Sequence, residues 1–252
     1  MRFAPPSAAA RPAQQSAAPG SDPDGVLLVD KPAGMTSSDV VVAVRKMFRL
    51  KKVGHGGTRD PAATGLLVLL VGRGTRLSER AMGGDKTYEG TLRLGRATTT
   101  QDAEGEPAGG ADPSGVTEEA LRALVASDFT GDVLQIPPMV SALKKDGVPL
   151  YRMARRGEEV AREPRLVHVF SFDLLSFGLP DSTFRVRCSK GTYVRTLCHD
   201  IGAKLGCGGH LAALRRTRCG AFRVEDAIPF ADLKALPRAD FPARLLPLST
   251  LL

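Results

Sequence analysis

The chain contains no tryptophan, and aromatic residues make up only 5% of it, so any contact with nucleic acid has few stacking platforms to use. No apolar run approaches the roughly 20 residues that a membrane-crossing helix needs. The longest, Leu66 to Val71, reads as a buried strand. Cysteine is scarce, and Cys188, Cys198, Cys207 and Cys219 include no CxxC pair, which argues against a redox motif and a zinc ribbon and suits a reducing compartment. A zinc site can still be assembled from Cys198, His199, Cys207, His210 and Cys219, although the spacing matches no standard finger. Acidic residues are in deficit, 27 against 35 Lys and Arg, for a formal charge of +8. Such an excess favours a polyanionic partner; the alternative is a basic but inert surface.

What is present is ordinary globular composition, 42% hydrophobic over 252 residues, which is enough for one large domain. Residues 1–24 are rich in Ala, Pro, Ser and Gln and lack periodicity, so they read as a disordered tail. Two arginines with no acid before Asp22 also suit a transit peptide, so the expected location is the cytoplasm, or an organelle matrix if the tail is an address.

From Gly25 the pattern becomes structured. GVLLVDKP is a short strand stopped by Pro32, and Thr36, Ser37 or Ser38 can cap a helix with Val40, Val44, Met47 and Phe48 on one face. The basic run from Arg45 to Lys52 closes that helix, where positive charge is favoured whatever the function. LLVLLVG and the alternating KTYEGTLRLG should be strands that pair in one sheet. Residues 100–116 read as loop, followed by a helix with Leu121, Leu124, Val125 and Phe129 as its stripe. LVHVFSFDLLSF and STFRVRCSK read as strands. TYVRTLCHDIGAKLG reads as a helix ended by Gly206, with Tyr193, Leu197, Ile201 and Leu205 on one face and Arg195 pointing elsewhere. Strands and helices alternate without a βαβ rhythm, so the fold class is α+β with a mixed, mostly antiparallel central sheet flanked by helices and loops.

The stretch GHGGTRDPAATG, Gly54 to Gly65, surrounds one acid with glycine. Glycine admits close backbone approach and positive φ, and Pro61 fixes the exit of the turn, so Asp60 is presented by backbone and not by bulk. Such a carboxylate can act as nucleophile or base; equally, it can cap the following N–H groups in an Asx turn. No Gly-Lys-Ser/Thr follows, so a nucleoside triphosphate is not indicated.

Five blocks in order, GVLLVDKPAGMTSSDVV, KVGHGGTRDPAATGLLVLLVGRGTR, DKTYEGTLRLGRATTTQDAEGE, QIPPMVSALKKDGVPLY and CSKGTYVRTLCHDIGAKLG, closely resemble the TruB family of tRNA pseudouridine synthases over about residues 25 to 228. The resemblance implies a pseudouridine synthase fold and isomerisation of uridine in the T-loop of tRNA, with a flipped base and no cofactor or metal. It implies Asp60 as the catalytic aspartate, Tyr88 stacking on the target base, and Arg195 pairing with the Asp60 carboxylate. His55 would fill the space vacated by the flipped nucleotide, Lys31 and Pro32 would pack behind the site, and Leu214 would be an apolar residue near it. The family usually has leucine where this chain has Arg59; that guanidinium could grip phosphate, compete for Asp60 or face solvent. The catalytic domain is expected to span residues 25–252 without the C-terminal PUA module of many relatives, to act as a monomer on the T-arm and to avoid membranes. The rival readings are a tRNA-binding or tRNA-folding protein on the same scaffold with its chemistry impaired, the zinc-supported module, and a uridine-binding protein of small-molecule metabolism.

Overall fold

The computed structural model describes residues 23–57 and 60–251. The expected tail up to residue 22 lies outside them. Asp24, assigned to the tail from sequence, belongs to the folded part: its carboxylate accepts the Arg73 backbone N–H at 2.6 Å and pairs with that guanidinium.

Strand β1 (Gly25–Lys31) ends where Pro32 removes a donor. Helix α1 (Ser37–Met47) opens on a capping box, with the Asp39 N–H donating to the Thr36 hydroxyl at 3.0 Å and the Thr36 N–H to the Asp39 carboxylate at 2.8 Å. Strands β2 (Val53–His55) and β3 (Thr64–Val71) flank the glycine-rich loop as an antiparallel pair. Helix α2 (Ser78–Gly83) leads into β4 (Lys86–Leu94), and α3 (Glu118–Asp128), capped by Thr117, leads into β5 (Gly131–Gln135). A small separate hairpin, β6 (Lys144–Lys145) and β7 (Val148–Pro149), precedes α4 (Leu150–Ala154). Then follow β8 (Arg165–Ser176), β9 (Asp181–Cys188), α5 (Val194–Lys204) and β10 (Gly209–Cys219). The chain closes with β11 (Phe222–Arg223), β12 (Ile228–Pro229) and α6 (Phe230–Ala235).

The main sheet runs β12-β1-β3-β10-β4-β9-β8-β5, antiparallel except at β1–β12 and β10–β3. This is the mixed, mostly antiparallel α+β architecture that the sequence pattern implies. Leu66 through Val71 are all 0% exposed because β3 is covered on both faces. Val40, Val44 and Phe48 of the α1 segment meet Leu67 and Leu69 on one side, and Ala81 of α2 meets Leu66 and Val68 on the other. A strand covered twice has no polar face, hence the uninterrupted apolar run. In the other half, α3 and α5 lie on β4, β9 and β8, with Leu121, Val125, Leu197 and Ile201 packed among Leu92, Phe184 and Val186.

Two expectations change. β3 and β4 share a sheet but are not neighbours, because β10 lies between them and joins the two halves. Its run of arginines hides a strand from any hydropathy pattern. Tyr193 is the N-cap of α5 and not part of its apolar stripe.

Helix α5 sits so close to the sheet that a Cβ on Gly202 would meet the Gly209 backbone nitrogen at 2.2 Å. Backbone cannot give way as a side chain can. Gly202→Ala is therefore expected to lower unfolding stability by about 1–3 kcal/mol, seen as an earlier urea midpoint.

Candidate active site

The glycine-rich loop returns to the sheet beside β10, at the seam between the two halves: Thr64 and Gly65 of β3 pair with Arg215 and Arg216 of β10. Gly65, at φ +88°, lies where a Cβ would strike the Arg216 carbonyl at 2.4 Å, so only glycine permits this approach. Asp60 is held here by backbone. Its carbonyl accepts the Ala63 N–H, and the Pro61 carbonyl accepts the Gly34 N–H at 3.0 Å.

Lys31 supports the loop from behind. The side chain is 0% exposed, and its ammonium donates to the carbonyls of Pro32 at 2.8 Å, Met35 at 2.5 Å and Pro61 at 3.1 Å. Those bonds compensate a buried charge with three dipoles and tie the KPAG turn to the residue after Asp60. Enclosed in this way, Lys31 holds the loop through its backbone. Lys31→Met should strand those carbonyls and destabilise the fold by about 1–3 kcal/mol. It should also lower kcat more than it raises KM, since the aspartate loses its support; equal effects on both would separate Lys31 from the loop.

Facing the loop, Arg195 occupies the second position of α5 with its side chain only 6% exposed, and its Nε lies 3.2 Å from Asp60 Oδ2. The planar end of the guanidinium turns away from Asp60. Nη1 lies 3.1 Å from Asp102 Oδ2 and donates to the Thr100 carbonyl at 3.3 Å, while Nη2 donates to the Val140 carbonyl at 2.7 Å. The fork is anchored on Asp102 and two carbonyls, and Asp60 meets the Nε edge. Asp102 is itself fixed, accepting the Thr100 hydroxyl and the Glu104 N–H. The Asp60 side chain remains 41% exposed, against 13% for Asp102. One carboxylate is thus enclosed and structural to the guanidinium, and the other is reachable.

Sequence reading missed Asp102, which sits in what looked like a plain Gly, Asp and Pro loop. A usable signal was TTTQDAEGE, one of the five blocks. Tyr193 is a second omission. It is half-buried, and its phenol is raised above its ordinary value first by burial, with the charges of Arg195, Arg165 and Asp60 also acting on it. Its backbone is clamped by Gln135, whose amide donates to the Tyr193 carbonyl at 3.1 Å and accepts the Tyr193 N–H at 3.0 Å.

Tyr88 is half-buried on β4, opposite Arg216 of β10 and Val186 of β9. Leu214, opposite Gly90, packs with Tyr88 against the edge of the same core, and its carbonyl accepts the Thr64 hydroxyl at 3.4 Å. His55 on β2 is held below its ordinary pKa, chiefly by burial and also by the positive charge of Arg216, while a hydrogen bond to the Gly57 backbone opposes both. Arg59 lies outside the described residues. The cysteines are buried singly, the Cys188 thiol pushed up to about 11 by burial, and no group of three or more His, Cys, Asp or Glu is disposed to hold a metal among the described residues. The zinc reading therefore has no cluster to stand on.

The mixed sheet, with an aspartate-bearing loop at its seam and a buried arginine facing it, matches family models of pseudouridine synthases, which are RNA-modifying isomerases. Residues 45–194 match the model of the TruB family pseudouridylate synthase (N terminal domain), and residues 195–252 match that of the tRNA pseudouridylate synthase B C-terminal domain. The chain belongs to the TruB family. It is 52% identical over 229 residues to the tRNA pseudouridine synthase B of Opitutus terrae, covering 91% of this chain and 95% of that one. It is 50% identical to the protein of the same name from Syntrophotalea carbinolica, covering 88% and 72%. Among solved structures, a chain of a Cbf5-Nop10-Gar1 complex superposes with a TM-score of 0.70 at 30% identity. That match covers 90% of this chain and 61% of the other, so this chain spans less than two thirds of that relative.

Proposed function

We propose that the protein converts uridine to pseudouridine in the T-loop of tRNA, with Asp60 as the nucleophile acting on a nucleotide turned out of the RNA. The observation that carries this reading is a reachable carboxylate, 41% exposed, set against an arginine that is 6% exposed and fastened at its other end. The relatives named tRNA pseudouridine synthase B support the choice of RNA.

The reaction breaks the bond from C1′ of the ribose to N1 of uracil and makes one from C1′ to C5. The C5 hydrogen leaves as a proton and N1 ends protonated, so substrate and product are isomers and the balance requires no oxidant or reductant. A nucleophile is needed to carry the reacting partner between the two bonds, and an ionised Asp60 can do so. Arg195 favours that ionised form and aims it. Extruding the nucleotide costs a few kcal/mol, and stacking on the Tyr88 ring returns roughly 1–3 kcal/mol. Asp60 and Tyr88 are the catalytic residues of this scheme; Arg195, Asp102 and Lys31 are positioning residues.

The test is incubation of the purified protein, as a monomer, with an unmodified tRNA transcript and with a T-arm hairpin, followed by mapping of pseudouridine. Turnover at a single T-loop uridine in both substrates is expected. Affinity should fall steeply with salt, because Lys and Arg displace counterions from phosphates. A complex that forms without turnover would instead favour an RNA-binding scaffold.

A further inference from the structure

Beside Tyr88 lies an arginine that the scheme above leaves without a role. Arg216 is the Cα partner of Tyr88 across β4 and β10 and is only 2% exposed. Its Nε donates to the Leu66 carbonyl at 2.9 Å, but Nη2 is enclosed with no hydrogen-bond partner. No carboxylate reaches it among the described residues, whereas its neighbour Arg215 is paired with Asp30 at 2.7 Å. Arg195, the other buried arginine here, has two carboxylates and two carbonyls.

The surroundings add positive charge and further unmet bonding. Lys86 is buried as well, and its ammonium is bonded to the carbonyls of Met82 and Gly84, both neutral. The charge of Arg216 acts on both Lys86 and His55, and the Asp85 carboxylate also acts on Lys86. His55 Nδ1 is also enclosed without a partner. A buried cation with a donor left unmet is costly, and an anion would offset both the charge and the missing bond. Nη1 lies 3.6 Å from where a Cβ on Gly57 would stand, and Gly57, at φ +108°, has no side chain to cover it.

We propose that Arg216 is a phosphate-binding residue for the RNA substrate, receiving a backbone phosphate at or next to the turned-out nucleotide over Gly57, with Nη1 and Nη2 as donors. The guanidinium fork suits two phosphate oxygens. Placed next to Tyr88, it would hold the sugar-phosphate side of the nucleotide whose base meets the ring. This assignment rests on RNA being the substrate.

The experiment uses the full chain, Arg216→Met and Arg216→Lys, with an unmodified tRNA transcript. Three quantities are read: the thermal midpoint of the free protein, the dissociation constant across a salt series, and the single-turnover rate of pseudouridine formation. Arg216→Met is expected to leave the thermal midpoint unchanged or higher, to weaken binding roughly 10- to 100-fold, and to reduce the slope of log affinity on log salt by about 0.7–0.9. Arg216→Lys should keep the slope while losing part of the affinity, since one charge remains without the fork. An unchanged slope in Arg216→Met overturns the assignment in every case. If the rate falls at the same time, the contact is to the uracil; if only the thermal midpoint falls, Arg216 is a brace for β3. Wild-type protein that binds the transcript without forming pseudouridine would sink the functional reading alone, because the slope still decides Arg216. Wild-type protein that does not bind RNA would sink both.

Discussion

Asp60→Asn is expected to abolish pseudouridine formation, by at least about 10⁴-fold in rate, while tRNA binding stays close to wild type. The substitution nearly preserves shape and removes the charge that attacks. Loop geometry should survive it, because residues 60–63 are also held through the carbonyls of Asp60 and Pro61, to Ala63, Gly34 and Lys31. The sequence alone left open an aspartate that merely caps its own turn. In that case the variant should fold less stably and still turn over. Single-turnover assays on an unmodified transcript, alongside a thermal melt, separate the two outcomes. Measurable turnover in Asp60→Asn would remove Asp60 from the chemistry.

The second large effect belongs to the arginine between the two carboxylates. Arg195→Met leaves Asp102, whose side chain is 13% exposed, facing Asp60 with no cation between them. Breaking a buried pair in this way costs roughly 3–5 kcal/mol, so a marked drop in thermal midpoint and a loss of at least about 10²-fold in kcat are both expected. Stability and activity can then be pulled apart. Adding Asp102→Asn to Arg195→Met removes the stranded charge and should recover much of the lost stability without recovering turnover. If the double variant regains activity, Arg195 serves only to neutralise Asp102. Arg195→Lys should fall between wild type and Arg195→Met. A lysine can stay near Asp60, but it cannot also span Asp102 and the Thr100 and Val140 carbonyls, which occupy the planar end of the guanidinium.

By itself the sequence determined whatever is encoded over one or two turns of chain. The Thr36-Ser37-Ser38 stretch announces the start of α1, the stripe of Leu121, Val125 and Phe129 sets the buried face of α3, and the unbroken Leu66–Val71 run requires a buried strand. The glycine-rich loop marked Asp60 for the same reason, since a backbone that must bend sharply and be approached closely is written in its own residues. Tertiary structure decided the rest. The place of β10 between β3 and β4 could not be read, because its arginines carry no alternation and pairing order depends on contacts far apart in the chain. Asp102 reaches Arg195 across 93 positions, and Lys31 reaches Pro61 across 30. In each case a charged group is buried against its own hydropathy. Such burial is tolerated only where distant elements bring acceptors to it, and a linear pattern carries no record of which acceptors those will be.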